Sequence, residues 1–259
     1  VYEKDGGGGW SFLLNILGRD QYTVTFDLVA NADQSDTTPV PDVVLRANGS
    51  VVAQSNDDGE IHYTTSTSDT VSLKFEKKFF VTQTLESFDP VANSGQSVQV
   101  ELPPQIFIPD TNHAQIVRIN SMDDATPVVL NSIGDGFYTM QGPSAIAVDY
   151  DNGYLYVADG NLDYGDTPVV MRLSDYPDTA GATVSPTDVL FLTDNSVGPG
   201  DLTPPLLGGQ SVGWSADDAY VVISQLSVSR DGRGVYGVSP YEASNQDDVY
   251  SLLLYLDLD

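Results

Sequence analysis

From Tyr22 onward apolar and polar residues alternate: Val24, Phe26 and Leu28 fall on one side, Thr23, Thr25 and Asp27 on the other. A period of two puts every second side chain on the same face, so this stretch predicts a half-buried strand. After the proline-marked TTPVPD, the run DVVLRANGSVVAQS sets Asn48-Gly49 between two β-branched stretches. Asn-Gly supplies the two positive-φ residues of a tight hairpin turn. NDDGE at 56–60 predicts another turn, Val71, Leu73 and Phe75 alternate again, and Val98, Val100 and Leu102 form the last run before Pro103-Pro104. Short strands with regular turns over about 80 residues predict an antiparallel sandwich.

Beyond the two prolines the chain repeats itself. Ile146, Val148, Asp151, Leu155 and Tyr156 line up without a gap with Leu226, Val228, Asp231, Val235 and Tyr236, 80 positions later. A second echo joins 106–120 to 155–174: Phe107 and Asp110 match Tyr156 and Asp159 at a spacing of 49, and Arg118 matches Arg172 after a five-residue insertion. SVGWSADDAYVVIS at 211–224 predicts a further strand pair, and YSLLLYLDLD ends the chain as a strand. A period near 50 residues, made of short strands and Asp/Asn/Gly turns, predicts β-propeller blades or a β solenoid. The expected fold class is all-β, an antiparallel β-sandwich followed by propeller-like blades. Its organisation is a Gly-rich tether with an apolar octet (1–19), a sandwich (20–103) and blades (104–259).

Two family resemblances rest on these words. TPVPDVVLRANGSVVAQSNDDGEIHY, VSLKFEKKFF and QSVQVELP together resemble the carboxypeptidase regulatory-like (transthyretin-like) sandwich over residues 20–103. Asp42 and Phe79 stand where that family usually has glycine. The resemblance implies a spacer or stalk on a secreted or surface protein. GPSAIAVDYDNGYLYVAD, followed by a strand carrying Arg172, is similar to the NHL-type propeller repeat, and DTNHAQIVRI resembles the end of a preceding blade. Only about two and a half blades are legible, where a closed propeller needs about four to eight. The favoured expectation is that the chain continues beyond Asp259; the alternative is that other chains complete the sheets.

Charge narrows the partners. The chain has 37 acidic and 10 basic residues, a formal net charge of -27, and after Lys78 its only basic side chains besides histidine are Arg118, Arg172, Arg230 and Arg233. Nucleic acid and anionic lipid are recognised by Lys and Arg that neutralise phosphate, so neither is an expected partner. With no Cys, disulfides and thiolate metal sites are excluded. No run reaches the ~20 apolar residues of a transmembrane span. The chain begins at Val1 without a signal-peptide pattern, so a processed, mature segment is expected. The octet WSFLLNIL at 10–17 follows four glycines; it is expected to pack on the next domain, with donation to a neighbouring chain as the alternative.

The motifs that resemble catalytic ones fail on context. GQSVG at 209–213 spells G-x-S-x-G around Ser211, but no helical periodicity follows it and both histidines, His62 and His113, lie upstream. GRGVYG at 232–237 opens a predicted strand, whereas a phosphate-binding glycine loop opens a helix. The two histidines read as strand and turn residues. Paired carboxylates such as Asp149/Asp151 and Asp217/Asp218 fall in hairpin turns, where Asp serves backbone geometry. No catalytic residues are assigned. One loop fits metal chemistry: Asp159, Asn161, Asp163 and Asp166 offer spaced oxygen ligands for calcium. Gly165 comes one place late for the D-x-N-x-D-G pattern and Val170 stands where a bidentate acid belongs, so a solvated acidic loop is the competing reading. Tyr154, Tyr156, Tyr220 and Tyr236 are expected to pack between blades, and Tyr164, Tyr176 and Tyr241 to form a sugar- or protein-binding rim.

The expected function is that of a non-catalytic extracellular or cell-surface protein, with blades presented for binding protein or carbohydrate or for assembly into a filament or surface layer. Self-assembly is expected through open sheet edges or the N-terminal apolar segment. The alternative is a fragment of a lactonase- or lyase-like propeller enzyme with a divalent metal centre.

Overall fold

The computed structural model describes residues 20–31, 37–121, 126–130, 140, 142–159, 169–174, 176, 188–191, 223–230, 232–242 and 249–257. The chain divides into two compact units, Val1–Pro104 and Gln105–Asp259. Among the described residues it is all-β: five small, mostly antiparallel sheets, none of them closed on itself.

The first unit holds β1 (Tyr22–Val29), β2 (Val44–Ala47), β3 (Ser50–Gln54), β4 (Glu60–Thr65), β5 (Val71–Glu76), β6 (Gln83–Phe88) and β7 (Ser97–Glu101). They form two sheets, ordered β4-β1-β7 and β3-β2-β5-β6. The alternation in β1 buries Val24, Phe26 and Leu28, and that in β5 buries Val71, Leu73 and Phe75. The two sheets meet at Phe26, whose ring centroid lies 5.1 Å from Phe75 in an edge-on contact and 5.4 Å from Phe88. Asn48 and Gly49, at φ 48° and 85°, make the tight turn between β2 and β3 that their sequence dictates. At the 56–60 turn the Asn56 side-chain oxygen accepts from the amides of Asp58 and Glu60.

One pairing departs from the antiparallel expectation. β1 and β7 run parallel, with Phe26 opposite Val98 and Leu28 opposite Val100. A parallel pair cannot be closed by a hairpin and needs a long crossover. Here strands β2 to β6 intervene in the chain, and β7 comes back to the open side of β1.

The second unit begins with β8 (Ile106–Asp110), a single 3-10 turn (Thr111–His113), β9 (Gln115–Ile119) and β10 (Val128–Leu130). Then come β11 (Pro143–Asp149), β12 (Tyr154–Asp159), β13 (Val169–Leu173) and β14 (Asp188–Phe191), followed by β15 (Gln225–Val228), β16 (Gly234–Glu242) and β17 (Val249–Asp257). Each group is one antiparallel meander: β10-β9-β8, β11-β12-β13-β14 and β15-β16-β17. The textual repeat is a repeat of register. Ala145↔Ala158, Ile146↔Val157, Ala147↔Tyr156 and Val148↔Leu155 recur, 80 residues on, as Gln225↔Val238, Leu226↔Gly237, Ser227↔Tyr236 and Val228↔Val235. Likewise Phe107 pairs with Arg118 as Tyr156 pairs with Arg172, and Val128 flanks Arg118 as Asp188 flanks Arg172.

The matched hairpins lie in separate sheets that pack through their faces. Ala145, Ala147, Tyr156, Ala158 and Val170 share one apolar cluster with Ile223 and Val235. The turns stack too: a Cβ on Gly232 would collide with Asn152 Nδ2, and that nitrogen donates to Asp149 Oδ2 at 2.9 Å.

Two substitutions test this packing. Phe79 is buried yet holds φ 63°, in the left-handed region, which costs a non-glycine residue about 1–2 kcal/mol. Phe79→Ala loses the ring and keeps the strain, whereas Phe79→Gly loses the ring and relieves it. Urea unfolding is therefore expected to rank Phe79→Gly above Phe79→Ala, the reverse of the usual order. Gly232→Ala, at φ 68° and against Asn152, is expected to cost about 1–2 kcal/mol, part of which Asn152→Ala in the same chain should recover.

Candidate functional site

The positions singled out by the repeat converge where neighbouring sheets of the second unit meet. Tyr176, which follows β13, reaches the β8–β10 sheet: its hydroxyl donates to the carbonyls of Ile116 at 2.9 Å and Val128 at 3.2 Å. Its ring meets Phe107 edge-on at 5.2 Å, and the Arg118 guanidinium lies 5.2 Å over it. In the next sheet the Arg172 guanidinium lies 4.8 Å over the Tyr154 ring. An arginine over an aromatic face is held by the ring quadrupole, more strongly where water is excluded. Burial raises the Tyr156 phenol above its ordinary value, with Arg172 pulling the other way. Burial likewise pushes the Tyr176 phenol up to about 12, against a smaller lowering by Arg118.

Three further hydroxyls cross between sheets. Tyr150 donates to the Gln105 carbonyl at 3.1 Å, Thr111 to Pro143 at 2.7 Å, and Ser144 to Ile223 at 2.7 Å. None of the three is legible in the sequence, because a hydroxyl aimed at a distant carbonyl leaves no local spacing. The rim role expected of Tyr176 does not hold: its burial and its two carbonyl partners make it an internal tie. Tyr236, expected to be packed, is 41% exposed. Tyr241 belongs to β16 and not to a loop, while Tyr164 and Tyr220 lie outside the described residues.

Of the four oxygen ligands proposed for calcium, Asp159 is described and Asn161, Asp163 and Asp166 lie outside the described residues. Asp159 ends β12, is buried, and accepts the Gly142 amide on Oδ1 at 2.6 Å. Its counterpart Asp110 ends β8 and caps the 3-10 turn. There Gln115 Nε2 donates to it at 2.8 Å and His113 Nδ1 sits 2.8 Å away; the Gln115 bond first, then His113, holds its carboxyl below the ordinary range. His113 is thus a turn residue, and His62 is exposed on β4 with its ring 3.1 Å from the Thr25 hydroxyl. Asp149 serves its hairpin, accepting from the Asp151 and Asn152 amides. Gly234 begins β16, so GRGVYG does open a strand; Ser211, Asp217 and Asp218 lie outside the described residues. Among the described residues no three His, Cys, Asp or Glu side chains converge to hold a metal ion. No helix of the described residues is long and apolar enough to cross a membrane.

No family model matches this chain, and no curated protein is significantly similar to it.

Two side chains give measurable consequences. The Tyr176 phenol titrates at about 12, above its unfolded value near 10. The folded state therefore favours the neutral form, a stabilisation complete below pH ~10 and lost as pH rises toward ~12. Tyr176→Phe keeps the ring, removes the single O–H that the Ile116 and Val128 carbonyls share, and is expected to lower stability by about 1–2 kcal/mol at neutral pH. Urea titrations should also show a weaker alkaline loss in that variant. Asp159→Ala, which strips the Gly142 amide of its acceptor, is expected to cost about 1–3 kcal/mol. Melting in calcium against chelator tests the loop: a calcium-dependent rise assigns the ion to it, and an unchanged midpoint leaves Asp159 to the backbone.

Proposed function

We infer that this is a non-catalytic protein of the extracellular space or cell surface. In this reading the first unit is a transthyretin-like sandwich that acts as a stalk, and the second unit carries NHL-like propeller blades. The blades present their turns to protein or carbohydrate, or join with other chains into a filament or surface layer. The observation that carries the reading is that successive sheets share strand registers, β8–β9 with β12–β13 and β11–β12 with β15–β16, since such series exist to extend a surface or to close a ring. Side chains of the second unit also support it: Arg118, Tyr176, Asp149 and Asp159 all face partners inside the unit. A net charge of -27 suits a protein kept apart from polyanions and dissolved at high density.

Surface labelling of intact cells, with the mass and micrographs of the native protein, tests this. The expected result is a labelled protein in assemblies larger than one chain or bound to a surface partner. Recovery solely as an unlabelled soluble cytosolic species would overturn it.

A further inference from the structure

Asn48-Gly49-Ser50 is the one Asn-x-Ser/Thr triplet in the sequence, and such a triplet, without proline at its centre, is the acceptor for N-linked sugar on secreted proteins. The tight turn between β2 and β3 accounts for the first two residues and asks nothing of the third. The structure places the triplet at an open hairpin tip. Asn48, Gly49 and Ser50 are all exposed, and a Cβ added at Gly49 would meet nothing within 4 Å beyond its chain neighbours. The Asn48 side chain is held by its oxygen: Oδ1 accepts from the Ser72 amide at 3.1 Å, while the Asn48 amide donates to the Ser72 carbonyl at 2.9 Å. That spares Nδ2, the atom to which sugar attaches, which donates to none of the described residues.

The strand that leaves this tip is poorly protected. Among the described strands β3 pairs with β2 alone, as the outer strand of its sheet. Outer strands invite pairing with other chains, and proteins blunt them with charge, proline or a bulge. β3 reads SVVAQ, without charge or proline, and has a bulge opposite Leu45/Arg46. Val51 is 58% and Val52 46% exposed, more than any other large apolar side chain described. They follow the triplet directly.

We propose that Asn48 is an N-glycosylation site, and that its glycan shields the Val51/Val52 edge of the first unit. In the transfer, Nδ2 attacks the anomeric carbon of a lipid-phosphate-linked oligosaccharide held by a membrane transferase. A C–N bond forms and the C–O bond to phosphate breaks; the lipid phosphate leaves with the electron pair, and an Nδ2 proton passes to the transferase. A glycan is bulky and solubilising, and at this tip it has solvent to occupy and no core contact to disturb. The proposal goes beyond the surface reading above but rests on it, because the modification belongs to exported chains.

Peptide mass mapping of the full chain from its native source tests it. Expected are sugar-mass increments on the peptide bearing Asn48, absent in Asn48→Gln and Ser50→Ala and kept in Ser50→Thr. Ser50→Ala is the decisive variant, because it spoils the triplet while the Asn-Gly turn and both Asn48–Ser72 bonds stay. The sugar-free Ser50→Ala chain is also expected to sediment as concentration-dependent aggregates, which a further Val52→Lys disperses. A native peptide without sugar, intact or deamidated, overturns the proposal, and so does sugar that survives Ser50→Ala. A Ser50→Ala chain as dispersed as the wild type overturns the shielding role. Surface labelling separates this failure from that of the location: a labelled, sugar-free chain removes the glycan alone, and an unlabelled cytosolic one removes both.

Discussion

Strand β12 is buried on both faces, and the second unit is organised around that fact. A strand at a sheet surface can alternate apolar and polar residues, but one covered on both sides must be apolar at successive positions. Leu155, Tyr156, Val157 and Ala158 meet that demand and are buried almost completely. The polar atoms drawn in with them then need internal partners, because an unpaired polar group in such a place costs several kcal/mol at the upper end. Asp159 takes the Gly142 amide, and Tyr156 lies opposite Arg172. The requirement passes outward from sheet to sheet as hydroxyls from Tyr150, Tyr176, Thr111 and Ser144 reach backbone carbonyls of the next sheet.

The same demand explains why the acids are placed as they are. Asp149 turns its carboxylate onto the amides of its own hairpin, and Asp110 does so for the 3-10 turn. Carboxylates that accept backbone N–H groups are structural parts, consistent with the Asp/Asn/Gly wording of the turns. The equivalent turn at 229–234 uses a hydroxyl: Ser229 Oγ accepts from the Gly234 amide at 2.9 Å. The ladder is conserved between the two hairpins while the chemistry of the bend is free to change.

Much of this was legible in the chain because it depends on neighbours in sequence. The buried face of β1, the Asn48-Gly49 turn and the β11–β12 hairpin follow from period-two patterning and turn residues. The offset of 80 between hairpins was also visible, since a repeat in register is a repeat in text. Asp42 and Phe79 hold φ 58° and 63°, a left-handed backbone that glycine adopts at least cost, and nothing in the local alternation announces it. What stayed hidden was long-range. Neither the parallel pairing of β1 with β7 nor the docking of Tyr176 on Ile116 and Val128 has a local signature. Nor could the alternation say that Tyr236 would be 41% exposed, because burial of one face depends on a neighbouring sheet.

The β1–β7 pair also sets the order in which the first unit can be completed. Among the unit's described strands the central one is the first to be synthesised and its flanking partner Ser97–Glu101 the last. On the ribosome β1 can zip with β4 early, but one edge stays bare until the whole unit has emerged. Loop closure over that span is slow relative to hairpin formation. The unit therefore matures as a late, all-at-once event during translation, and any pause within its final strand prolongs the time a sticky edge faces the crowded cell.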